Sequence, residues 1–295
     1  MLLKRWLGSF VVVACLCWSN TALATLNVLA DPVDVGNVPV AQTGMTDMQV
    51  LSDSVIGDLL DHFTFENTTS CTQFAVIPAL MLPVTITSGG APLDVTVMLT
   101  PAARGAVAGP TTPCIVSMRN ILDAEIGKFE VIGNGIAPVI TMPVPQPFGS
   151  VRVANAAVTT VTRIVSITNN GDAGQNLVIS SYSIGGTDTG DWAITAAPAT
   201  PTTITPGNSV NVTLRFDATA PGPRSAELVV ASNDPATPSA TTELTGTGTN
   251  AEIAVNDQLF GVVTHGGFAL RTITVSNTGA APQGSLRVTS AMISG

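Results

Sequence analysis

Few side chains in this sequence have the type and spacing that chemistry requires. There are two histidines, His62 and His265, and they fall in stretches that do not correspond to one another. Nucleophilic catalysis needs a base held beside the nucleophile, so no triad is expected, and both are read as loop or strand-surface residues. No His/Cys cluster has the ligand spacing of structural zinc. Gly133-x-Gly135 and Gly246-x-Gly248 suggest a phosphate loop at first sight, but they end strands and lack the third glycine and following helix of such loops. They are expected to mark strand exits. Asp31 with Asp34, Asp188 with Asp191, and Asp234 supply the oxygen ligands that Ca²⁺ takes. They come as pairs where calcium sites gather three or more carboxylates, and the expectation is solvated loop charges and turn formers. No catalytic, metal or cofactor-binding residue is assigned.

The first 24 residues have the pattern of a secretory leader. Lys4-Arg5 is a basic start, Trp6 to Trp18 is apolar, and Ala22-Leu23-Ala24 is an A-x-A site that places cleavage between Ala24 and Thr25. The apolar run is about 13 residues, too few for a bilayer span of roughly 20. Val12-Val13-Ala14-Cys15 also resembles a bacterial lipobox, which would cut before Cys15, although Leu16, Cys17 and Trp18 keep the run apolar past that point. Cleavage at the A-x-A site removes Cys15 and Cys17 and leaves Cys71 and Cys114. In an oxidising compartment these two suggest one disulfide closing a loop of about 43 residues and contributing roughly 3–4 kcal/mol. Two buried free thiols are the alternative.

The remaining composition bounds partner and fold. Loss of Lys4 and Arg5 takes the net charge from −9 to −11, which disfavours nucleic acid and anionic membrane surfaces. No stretch after the leader is long enough for a transmembrane helix. Aromatics are 4% and charged residues 11%, against abundant Thr, Val, Ala, Gly and Pro, which points to an all-β chain.

The elements agree. In Ser209 to Phe216, Val210, Val212, Leu214 and Phe216 alternate with polar residues, the period of a half-buried strand. Pro221-Gly222-Pro223 breaks the chain, Ala226, Leu228 and Val230 alternate next, and Asn233-Asp234-Pro235 makes a turn. This stretch belongs to a repeat. Val35-Gly36, Phe148-Gly149 and Phe260-Gly261 open three units, with the glycines 113 and 112 residues apart. Gly133 and Gly246 are again 113 apart, and Cys114 to Asn120 aligns with Glu227 to Asn233 at that offset. Leu93 to Leu99 matches Val210 to Phe216, and Phe74-Ala75-Val76 takes the place of Trp192-Ala193-Ile194. The expected organisation is a leader at 1–24, sandwiches at 25–137 and 138–250, and the start of a third unit at 251–295. The fold class is all-β, as tandem immunoglobulin-like antiparallel β-sandwiches with the third repeat incomplete. A phase shift from Leu177/Ile179 to Tyr182/Ile184 predicts a bulge, residues 54–61 are expected to form a helical turn, and Ile273 and Val275 are expected to point inward. The third unit is read as a truncated record or as a segment completed by a neighbour.

Phe148-Gly149-Ser150-Val151, Ile167-Thr168-Asn169, Gly190-Asp191-Trp192-Ala193-Ile194, Ser232-Asn233-Asp234-Pro235 and Leu244-Thr245-Gly246-Thr247-Gly248 together resemble the choice-of-anchor D repeat of bacterial surface proteins, within the hydin-like, major-sperm-protein-like immunoglobulin folds. The resemblance covers the second unit, the start of the third and, more weakly, the first. It implies sandwiches of seven or eight strands used in tandem on exported bacterial proteins, with no catalytic residues. The expected function is a non-enzymatic structural or adhesive protein, exported to the cell surface, the periplasm or the medium, in which the modules serve as spacer, scaffold or interaction surface for a protein or surface glycan. The alternatives are a ligand-binding module of a larger secreted protein, for which Trp192 and Tyr182 are the aromatic candidates, an enzyme whose catalytic domain lies beyond Gly295, and a ciliary or cytoskeletal scaffold by analogy with eukaryotic relatives.

Overall fold

The computed structural model describes residues 26–54, 56–66, 71–108, 113–153, 160–279 and 285–292. The leader, its Ala24–Thr25 cleavage and the alternative cut at Cys15 lie outside them. Regular structure is almost wholly strand. The chain divides into two compact units, one of Met1–Val38, Gln42–Pro101 and Ala106–Asn134, the other of Pro39–Ala41, Ala102–Gly105 and Gly135–Gly295.

The strands of the first unit are, in chain order, β1 (Leu26–Val28), β2 (Val33–Pro39), β3 (Gly44–Ser52), β4 (Asp58–Leu60), β5 (His62–Phe65), β6 (Phe74–Pro78), β7 (Val84–Ile86), β8 (Leu93–Leu99), β9 (Gly105–Ala108), β10 (Cys114–Arg119) and β11 (Glu125–Ile136). One sheet has the order β1-β3-β8-β6 and the other β2-β11-β10-β5, with β9 also on β11 and β4 paired to β7. Residues 54–61 were expected as a helical turn; the described part instead feeds β4, because Leu60 is needed in the core and Asp58 to Leu60 finds a ladder partner in Val84 to Ile86.

The second unit repeats the plan with β12 (Ile140–Thr141), β13 (Gln146–Arg152), β14 (Val161–Asn169), β15 (Leu177–Gly185), β16 (Trp192–Ala196), β17 (Thr202–Ile204), β18 (Ser209–Phe216), β19 (Gly222–Ser232) and β20 (Ser239–Thr249). Its sheets run β12-β14-β18-β16 and β13-β20-β19-β15-β17. The order matches the first unit strand for strand, and β4 with β5 is the counterpart of β15. The sandwich is not antiparallel throughout. β12 pairs with β14, but after the Pro143 and Pro145 kink, where no backbone N–H is available for a ladder, β13 crosses to the other sheet and runs parallel to β20.

The expected alternation holds. On β18, Val212, Leu214 and Phe216 are buried while Ser209, Asn211 and Arg215 are exposed, and Ala226, Leu228 and Val230 of β19 face the same core. Each large apolar side chain so buried contributes about 1.5–3 kcal/mol. The pairing of β15 with β19 shifts register between Ile179 and Ser181, where the apolar phase of the sequence changes. Gly36, Gly149 and Gly261, the repeat markers, all have positive φ, at 79°, 75° and 65°. That backbone state excludes most side chains; at Gly149 it lets the chain bulge between Pro147 and Ser150 while Phe148 and Val151 stay inward.

Gly133 and Gly246 lie within β11 and β20, not at strand exits. A Cβ on Gly246 would sit 2.4 Å from the Phe216 ring, and one on Gly133 would sit 2.4 Å from a Leu99 methyl. One alignment changes by a residue. Cys114 pairs with Val131 and Ala226 with Leu244, so the inward set Cys114, Val116 and Met118 corresponds to Ala226, Leu228 and Val230 at an offset of 112. The offset of 113 would exchange the inward and outward faces of β10.

Beyond β20, β21 (Ile253–Val255) pairs with β22 (Val275–Asn277). Ile273 and Val275 do not point inward: they are 57% and 46% exposed, since no second sheet faces them among the described residues.

Cys71 and Cys114 form a disulfide with Cα atoms 5.1 Å apart. It ties the segment entering β6 to β10 of the opposite sheet. Replacing both cysteines by alanine is expected to lower the stability of the first unit by about 4 kcal/mol, the loop-entropy value for 43 residues, read from denaturant unfolding. In the second unit, Gly246→Ala is expected to cost about 1–3 kcal/mol, because the Phe216 ring must move, whereas Ala at the open Gly190 costs far less.

Candidate functional site

The sequence directs attention first to Asp188 and Asp191. A 3-10 turn over Thr189–Asp191 carries the chain into β16 and turns the Asp191 carboxylate inward, leaving it 2% exposed. One oxygen accepts from the Thr219 N–H and hydroxyl at 3.1 and 2.6 Å, and the other accepts from Arg224 Nε at 2.5 Å. Arg224 Nη2 reaches Asp188 at 2.8 Å, and the other oxygen of Asp188 accepts the Ser225 N–H. Burial alone would favour the neutral acid at Asp191, but the hydrogen bonds from Arg224 and Thr219 outweigh it and hold the carboxyl below its ordinary range. The same pairing raises Arg224 above its usual value. The pair weighed as a cation site is thus an arginine clamp joining the loop before β16 to the start of β19. Arg224 lies 33 residues from Asp191, and only Asp188 and Asp191 are visible as a local motif.

Asp234 is equally occupied. It is 2% exposed, caps its own turn through the Ala236 and Thr237 N–H groups at 2.9 and 3.2 Å, and takes the Ile140 N–H of β12 at 2.9 Å. Asp31 accepts the Glu130 N–H and Asp34 the Gly36 N–H. Among the described residues, no group of three or more His, Cys, Asp or Glu side chains is placed to hold a metal ion.

Two further polar centres lie outside the sequence assignments. Asn169 is fully buried at the end of β14. Its Nδ2 donates to the Gln175 and Ile204 carbonyls at 2.8 and 2.9 Å, and its Oδ1 accepts from Gly171 at 2.9 Å and Val139 at 3.3 Å. Ser52, at the matching end of β3, bonds Asp58 at 2.5 Å and receives the Ser54 N–H. The position is thus a polar junction in both units, a role that the turn signal Asn169-Asn170-Gly171 conceals. In the first unit Ser117, fully buried on β10, lies between the Glu66 carboxylate and Glu125 Oε2, the latter at 3.0 Å. The Ser117 hydrogen bond, against some burial and with help from Glu125, Lys128 and Arg119, holds Glu66 below its usual value.

The histidines belong to different units. His62 on β5 contacts carboxylates, Asp61 at 2.9 Å and Asp123 at 3.4 Å, while His265 is exposed in the segment after β21. Trp192 is 5% exposed, stacked 4.5 Å from Phe216 and edge-on to Phe148, so it belongs to the core. A shallow groove of about 470 Å³ crosses β13, β20 and β19, lined among others by Pro147, Arg224, Glu243, Thr245 and Thr247, with no aromatic ring in its wall. No helix among the described residues is long and apolar enough to cross a membrane.

Fold and site together define a chain of tandem immunoglobulin-like β-sandwiches whose buried polar side chains bind the chain itself. No family model matches the sequence, and no curated relative matches it significantly. Solved structures resemble it at low identity. A protein of unknown function from Porphyromonas gingivalis W83 is 12% identical with a TM-score of 0.31, over 75% of this chain and 99% of the other. The cadherin domains 1–4 of protocadherin gamma B7 are 8% identical at a TM-score of 0.38, over 88% and 60%. The ASH/PapD-like domain of human CEP192 is 11% identical at 0.28, over 38% and 87%.

Asp191 sets an acid dependence. Its folded-state value is lowered, so its stabilisation is complete above the ordinary carboxylate range and disappears as pH falls through the lower folded value. Asp191→Asn is expected to flatten the acid limb of the melting temperature against pH. Arg224→Met, which leaves a buried carboxylate unpaired, is expected to cost about 3 kcal/mol at neutral pH in denaturant unfolding.

Proposed function

We propose that the chain is a non-enzymatic, exported bacterial protein whose tandem modules act as spacer and interaction surface. The modules are taken as residues 25–137, 138–250 and the beginning of another from 251, following the leader. The observation that carries this reading is that two successive sandwiches share one strand order, and that the residues best suited to chemistry, Asp191, Arg224, Asp234 and the paired glycines, hold that fold together. The Cys71–Cys114 disulfide favours an oxidising compartment. The motifs shared with the choice-of-anchor D repeat point the same way. The groove on β13, β20 and β19 lacks the aromatic platform a sugar would stack on, so the carbohydrate reading ranks second.

Export is tested by expressing the whole reading frame in a bacterial host and measuring the mature N-terminus. Processing before Thr25 is expected; an uncut cytoplasmic product would refute it. The spacer role is tested by pulling the mature chain. Two discrete unfolding steps are expected, and the first unit should gain contour length of about 15 nm on reduction, as the 43 enclosed residues are released. Smooth extension without steps would rule out rigid modules.

A further inference from the structure

One end of the first sandwich carries an apolar surface inside an acidic border. The register identifies the end: Leu26 pairs with Ser52, Val50 with Leu93 and Pro78 with Val95, so β3 and β6 finish there and β1 and β8 begin there. Gly127, just past the β10–β11 turn, lies against the Leu26 carbonyl, where a Cβ would come within 2.3 Å, which puts that turn at the same end. The loops at this end expose Ile56, Leu80, Met81, Ile121 and Leu122, three of them almost entirely: Met81 is 94% exposed, Ile56 92% and Leu122 82%. Single exposed leucines are ordinary. Five large aliphatic side chains from three loops at one end are the signature of a covered surface.

The border says what covers it. Asp53, Asp61 and Asp123 lie in or beside these loops, with Asp123 75% exposed at its side chain. The nearby cations are already engaged: Arg119 bonds Thr64 Oγ1 and the Asp123 carbonyl, and His62 lies between Asp61 and Asp123. An acidic rim around an aliphatic centre repels anionic lipid headgroups and attracts a cationic protein. We propose that this end of the first sandwich docks a protein segment whose aliphatic side chains are flanked by lysine or arginine. The proposal rests on the reading of the chain as an interaction module and assigns that role to a surface.

The test uses the full mature chain and three labelled twelve-residue probes, of alternating Leu and Lys, Ser and Lys, and Leu and Glu, followed by fluorescence anisotropy. Binding of the Leu/Lys peptide alone is expected. Met81→Ser/Leu122→Ser should weaken it at least tenfold with an unchanged melting curve, since both side chains are solvent-facing. Asp53→Asn/Asp123→Asn should weaken it and reduce its salt dependence. Equal binding of the Ser/Lys peptide, or no effect of the serine variant, overturns the docking surface. So does binding to phosphatidylcholine vesicles without peptide binding, which would make the end a lipid contact. Self-association in sedimentation that the serine variant abolishes would assign the surface to a second copy and overturn it equally. None of these failures touches the stepwise unfolding expected of rigid modules.

Discussion

Both sandwiches close on one contact, a large side chain at the end of a strand in one sheet lying where the facing strand has no Cβ. In the first unit Leu99 occupies the space above Gly133, and in the second Phe216 occupies the space above Gly246. The contact fixes the distance and register of the two sheets at that point. Phe148 and Trp192 then pack around Phe216, with ring centroids 6.0 and 4.5 Å away. A glycine within a strand weakens it. Here the loss is offset by a buried leucine or phenylalanine that no larger residue would admit, which explains why the glycines recur at the same place in each unit.

The buried polar side chains do a different job. Sheets leave unpaired N–H and C=O groups where strands end or cross over, and such groups are costly when buried. Asn169 satisfies four of them at the end of β14, and Asp234 captures the N–H of Ile140 where β12 begins. Asp191 and Arg224 anchor the loop before β16 to β19. A side chain fully engaged in this way has little capacity left for a ligand, so the exposed loops, not the buried acids, are where the molecule can meet another.

Local pattern was legible in the sequence and long-range partnership was not. Alternation located β18 and β19, and the phase change between Ile179 and Tyr182 revealed the bulge, because both depend only on neighbouring residues. The recurring Gly36, Gly149 and Gly261 were visible as markers, and their common positive φ supplies the physical cause. Arg224 was missed because its partner lies on a turn 33 residues earlier, and Asn169 because a turn-forming residue type masks a buried one. The alignment of β10 slipped by one residue because its loop to β11 is one residue shorter than the loop from β19 to β20, and face parity shows such a change only once the strands are paired. Ile273 and Val275 illustrate the limit of alternation: it tells which side is apolar, not whether a second sheet covers it.

The switch of the opening strand from one sheet to the other has a consequence for how a module comes into being. β13 finds its ladder only on β20, and the Thr249 hydroxyl that meets the Val151 carbonyl arrives 98 residues later. During synthesis β13 therefore emerges long before its ladder partner, and loop closure over that length must precede the backbone pairing that rewards it. The module is completed by its last strand, and until then the edge of β13 stays open to whatever factor accompanies the nascent chain.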